Sequence, residues 1–98
     1  MTYLVLCTFD LKSASREDYT NAYVDLQQIG LKKVQQATKG QYVIPTTTVM
    51  GEFNGPSAER VRDDIRERVR VAFQNRRFRS EIFVAVGQNG TWGGQTTG

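Results

Sequence analysis

The hydrophobic pattern of this chain switches between strand and helix periods in one order: strand, helix, two strands, helix, strand. Residues 3–9 (YLVLCTF) are apolar and β-rich with no helical stripe, which predicts a central strand covered on both faces. Ser15 then caps a helix, with Asp18 three residues on in the manner of a capping box. Tyr19, Ala22, Tyr23, Leu26 and Ile29 share one face of that helix, and Gly30 suits its left-handed C′ position.

Residues 32–37 (KKVQQA) make a weaker strand. Thr38, Lys39, Gly40 and Gln41 supply a turn, and residues 42–50 (YVIPTTTVM) form the return strand. Pro45 lacks a backbone donor, so it calls for an edge position, a bulge or a break there. After the loop Asn54-Gly55-Pro56, Ser57 caps a second helix with Glu59 in its first turn. Val61, Ile65, Val69, Ala72 and Phe73 are its apolar stripe, and Asn75 to Arg79 ends it. Residues 81–86 (EIFVAV) alternate as a last strand.

The order βαββαβ predicts a ferredoxin-like α+β sandwich: a four-stranded antiparallel sheet with two helices on one face. It occupies residues 1–86 as a single domain, and residues 87–98 form an uncharged Gly/Thr-rich tail expected to be mobile. A chain of 98 residues buries roughly 60–65% of its unfolded surface, enough for one modest core. The exposed sheet face, or an open edge, is the natural place for a second copy to pair.

Composition removes several kinds of chemistry. There is no histidine, so Ser-His and Cys-His nucleophiles and the usual Cys/His zinc sites are excluded within one chain. A metal here would need oxygen ligands, which suits Mg²⁺, Mn²⁺ or Ca²⁺. Cys7 is the single cysteine and cannot form an intrachain disulfide, which points to a reducing, cytoplasmic compartment and an inert core thiol. No apolar run approaches the ~20 residues needed to cross a bilayer. The first residues lack the basic region of a signal peptide.

Charge singles out one segment. Residues 56–79 hold eight arginines against four acids, whereas the rest of the chain holds five basic residues against six acids. Arg62, Arg66 and Arg70 recur every four residues along one helical ridge, and Arg76, Arg77 and Arg79 extend the patch. Arginines in a row bind phosphates bidentately, and a basic stripe is the footprint of nucleic acid. The same helix also places Glu59–Arg62, Asp63–Arg66, Asp64–Arg68 and Glu67–Arg70 three or four apart, the spacing of a salt-bridged solvated face. Arg76, Arg77 and Arg79 have fewer local acids and are the better phosphate candidates.

Asp10 closes the first strand. It serves either as a Mg²⁺ ligand or as a turn residue bonding its own backbone. Lys39-Gly40-Gln41-Tyr42-Val43 faintly matches the basic-Gly-aromatic motif of RNA-recognition domains, without the paired aromatics. Trp92 lies in the glycine-rich tail, where it either folds back onto the domain, docks on a partner subunit or is incidental.

Thr8-Phe9-Asp10-Leu11, Tyr19, Asn21-Ala22-Tyr23-Val24-Asp25-Leu26, Gly30-Leu31 and Gln35 or Gln36 together resemble the start of virulence-associated protein D and its relative, CRISPR-associated protein 2. The resemblance ends at about residue 36. It implies a small ferredoxin-like homodimer, in some members a metal-dependent ribonuclease. It also implies that Asp10 lies at the dimer interface and takes part in metal binding. The resulting expectation is a dimeric nucleic-acid-associated protein. Asp10 would hold Mg²⁺ or Mn²⁺ as its catalytic group, and the arginines would hold RNA or DNA. The alternative is a non-catalytic homodimeric interaction or adaptor module, with the charged helix serving only solubility.

Overall fold

A computed structural model of the chain describes residues 1–37, 40–43, 46–95 and 97. The element order is β1 (Thr2–Leu11), α1 (Arg16–Ile29), β2 (Val34–Ala37), β3 (Gly40–Val43), β4 (Thr48–Asn54), α2 (Ala58–Asn75) and β5 (Ser80–Gln88). The α+β class and the two helices match the sequence pattern. The four-stranded ferredoxin-like sheet does not form. The main sheet has three antiparallel strands in the order β4-β1-β5, and β2 and β3 make a separate two-stranded ribbon.

The reason lies in the segment after α1. KKVQQA offers Val34 and Ala37 as its only apolar residues, too few to bury a face against the sheet. Among the described residues this segment touches the β4 edge through one bridge, Lys32 to Met50, with reciprocal backbone bonds of 2.8 and 2.9 Å. Beyond it, Val34 to Ala37 pair with Gly40 to Val43 instead. The expected single return strand is therefore two strands: β3 ends at Val43, and β4 runs from Thr48 four residues past the expected end at Met50. Pro45, Thr38 and Lys39 lie outside the described residues.

β1 alternates cleanly. Tyr3, Val5, Cys7, Phe9 and Leu11 are buried, whereas Leu4, Leu6 and Thr8 are half-buried and Asp10 is exposed. The strand is thus covered on one face and not on both. The buried set packs with Ala22 and Leu26 of α1 and Val61, Ile65, Val69 and Phe73 of α2, so both helices lie on that face. Phe9 and Phe73 meet edge-on at 5.4 Å between ring centres, near the C-terminal ends of β1 and α2.

The helix ends follow their sequence signals. Ser15 and Asp18 close both arms of a capping box at 3.1 and 3.0 Å. Gly30 ends α1 at φ 111°, in the left-handed region. The Ser57 hydroxyl accepts the Arg60 N–H at 3.2 Å at the start of α2. Among the described residues no helix is long and apolar enough to cross a membrane.

Candidate functional site

The sheet end nearest the helix-capping loops carries most of the residues that sequence singled out. β1 pairs with β5 down to Leu11 opposite Ser80, and the Lys12 N–H donates to the Arg79 carbonyl at 2.7 Å. This register brings the β1–α1 loop beside the α2–β5 turn. Leu11, Lys12, Ser13, Asp18, Arg77 and Arg79 are among the residues lining a cavity of about 250 Å³ between them.

Asp10 is inside β1, on the open face, directly opposite Glu81. Lys12 Nζ lies 2.9 Å from Asp10 and 2.5 Å from Glu81, so one ammonium bridges the two carboxylates. The hydrogen bond to Glu81, then that to Asp10, pushes the Lys12 pKa up and keeps the ammonium charged. Among the described residues no three His, Cys, Asp or Glu side chains gather in a group able to hold a metal ion. The oxygens of Asp10 and Glu81 are suited to a hard cation, but the cation they hold here is Lys12. A divalent ion would have to displace it. The importance of Lys12 was not legible beforehand, because its partner Glu81 comes from the far end of the chain.

The six arginines divide into two groups. Arg62 donates to Asp63 at 3.0 Å, and Arg66 donates to the same carboxylate oxygen at 3.2 Å. Arg70 grips Glu67 with two hydrogen bonds, 2.9 and 2.6 Å. Hydrogen bonding from Arg62 holds the Asp63 pKa below the usual carboxylate range, and Arg70 does the same for Glu67. The ridge is therefore largely self-neutralised. Arg76 forms a bidentate pair with Asp25 of α1, at 2.8 and 3.0 Å, and so ties the two helices together. Both pair spacings on the α2 ridge are readable from sequence, but the Asp25 partner, 51 residues away, is not.

Arg77 and Arg79 stand apart. Among the described residues neither guanidinium has a carboxylate partner. Arg77 also sits at φ 62°, just past the end of α2. Its N–H donates to the Gln74 carbonyl at 2.9 Å, and the Phe78 N–H donates to Phe73 at 3.0 Å, the hydrogen bonds of a left-handed helix stop. Glycine or asparagine normally fills that position, because a Cβ there crowds the following carbonyl. Asp18, the one carboxylate lining the cavity, is occupied by its capping bond to the Ser15 N–H.

A second concavity, about 670 Å³, runs between α1 and α2 over Ile29, Val71 and Ala72, with the Asp25–Arg76 pair on its rim. Residues 40–43 of the Lys39–Val43 motif are the whole of β3, with Lys39 outside the described residues. Trp92 is half-buried, and the tail passes the open sheet face so closely that a Cβ on Gly90 would lie 2.9 Å from Leu4. Comparison with protein-family models, with curated proteins and with solved structures finds no match to this chain.

Proposed function

We propose that the protein is a dimeric nucleic-acid-associated protein that grips backbone phosphate through Arg77 and Arg79. One observation carries the reading: an arginine occupies the left-handed helix stop, and with Arg79 it lines a cavity while lacking a carboxylate partner. Local backbone strain of this kind clusters at functional sites. A guanidinium fork with no carboxylate acceptor among the described residues is matched to a phosphate oxygen pair. Arg62, Arg66, Arg70 and Arg76 support the reading only through the general field, since their forks are spent on Asp63, Glu67 and Asp25.

The test is binding of labelled single-stranded RNA and DNA across a salt series, with the parent and with Arg77→Gly/Arg79→Ala. Two lost phosphate contacts should flatten the salt slope by about 1.4, at roughly 0.7 per contact for single strands. Arg77→Gly alone should melt no lower than the parent. Relief of the left-handed strain, about 1–2 kcal/mol, outweighs the greater freedom of glycine in the unfolded chain, about 0.4–1 kcal/mol. A parent that binds without salt dependence, or a double variant with the parent's slope, removes the proposal. Mg²⁺-dependent cleavage that disappears in Asp10→Asn would extend it to hydrolysis.

A non-catalytic interaction module is the second reading. It is favoured by Phe83, which is 65% exposed on the sheet face that no helix covers.

A further inference from the structure

β5 is the unfinished side of this fold. β1 is paired on both edges, and the β4 edge is partly closed by the Lys32–Met50 bridge. β5 pairs with β1 alone, so the outer edge of a nine-residue strand has no backbone partner among the described residues. Natural edge strands are usually protected by shortness, proline, bulges or lysine. This one, SEIFVAVGQ, has no proline and one charge, Glu81. Its side chains are unfinished as well. Ile82, Val84 and Val86 face the core yet stay half-buried, whereas their neighbours Phe9, Cys7 and Val5 on β1 are buried. On the opposite face Phe83 and Ala85 are exposed.

We infer that a second copy of this chain pairs antiparallel along the free edge of β5, with Val84 opposite the partner's Val84, to make one continuous six-stranded sheet. This names the interface of the dimeric reading above and needs nothing from its arginine contacts. The register is chosen by self-complementarity. It is the alignment that pairs all nine residues, setting Ser80 against the partner's Gln88. Phe83 then lies opposite the partner's Ala85, a large side chain beside a small one, and the two Phe83 rings become diagonal neighbours within aromatic reach. Glu81 faces the partner's Gly87, so the one charge of the strand meets no like charge. The two-fold symmetry makes the interface isologous and closes it at two copies.

Sedimentation equilibrium at micromolar concentrations tests the inference. The parent should be a dimer, and Phe83→Lys should raise its dissociation constant roughly 100-fold or more while keeping the parent's circular dichroism. If Phe83→Lys does not fold, the register decides the matter. A mixture of Phe83→Cys and Ala85→Cys chains should cross-link under mild oxidation well ahead of either chain alone. A monomeric parent, a dimer indifferent to Phe83→Lys, or a mixture that cross-links no faster overturns it. A monomer that loses RNA affinity in Phe83→Ala also overturns it and assigns Phe83 to base stacking. Salt-dependent nucleic-acid binding by a monomer would sink this interface and leave Arg77 and Arg79 standing. A dimer that binds no nucleic acid would do the reverse.

Discussion

Gly51→Ala should disrupt the junction between β4 and the end of α1. A Cβ on Gly51 would stand 2.1 Å from the Gly30 carbonyl oxygen and 3.0 Å from the Phe53 ring. An ordinary carbon–oxygen contact is about 3.3 Å, so the two backbones must part by about 1.2 Å. Neither can do so cheaply. Gly30 is fixed by its N–H bonds to the Leu26 and Gln27 carbonyls, and the neighbouring Met50 is bonded in both directions to Lys32. Overpacking that shifts backbone costs roughly 1–3 kcal/mol, and two anchored segments place this case at the upper end. For a domain of this size that is a fall in melting temperature of roughly 12–24 °C, at about 4–8 °C per kcal/mol. Gly87→Ala is the control, because a Cβ there meets nothing within 4 Å. Calorimetry of both variants at one protein concentration reads the difference. Amide exchange should quicken at Lys32 and Met50 in Gly51→Ala alone. A Gly51→Ala protein melting within about 4 °C of the parent would refute the close approach and the reasoning built on it.

Two further outcomes follow from the core. Phe73→Ala should cost about 3–5 kcal/mol, since Phe73 is 1% exposed and packs edge-on against both Phe9 and Phe78; urea unfolding gives the value, and a loss under about 1 kcal/mol would contradict that packing. Burial pushes the Cys7 thiol up to about 12, from near 9 when exposed. The folded state therefore holds its proton longer than the unfolded one. The stability this contributes is complete below about pH 9 and is lost as pH rises toward 12, by up to ~1.4 kcal/mol per pH unit. Urea titrations from neutral to alkaline pH should show a shallower decline in Cys7→Val than in the parent, and equal slopes would reject the burial argument.

The local devices of this chain were legible because each is written in a few adjacent residues. Ser15 with Asp18, Ser57, and Gly30 mark helix ends by short-range hydrogen bonding and backbone freedom, and they act as expected. The alternation of Ile82, Val84 and Val86 with Phe83 and Ala85 likewise reads directly, since successive side chains of a strand point to opposite faces. The helical spacing of Asp63–Arg66 and Glu67–Arg70 foretold that the ridge would neutralise itself.

What remained hidden depends on competition between distant segments. Whether residues 32–37 join the sheet turns on how much apolar surface the sheet edge offers them against what a local ribbon offers, and the ribbon prevails beyond Lys32. Coverage of β1 on one face only follows from both helices choosing the same side. The fate of each arginine is tertiary in the same sense. Arg76 is consumed by Asp25 across the helix pair, while Arg77 is turned left-handed by the hydrogen bonds that stop α2 and lines a cavity that its own turn forms with the β1–α1 loop. Sequence by itself determined the helices, their caps and the faces they bury, because those depend on spacing along one segment. Only the tertiary structure decided, among the described residues, which strand edge is left without a backbone partner and which of the six candidate arginines keep no carboxylate partner, because both are set by residues that meet from opposite ends of the chain.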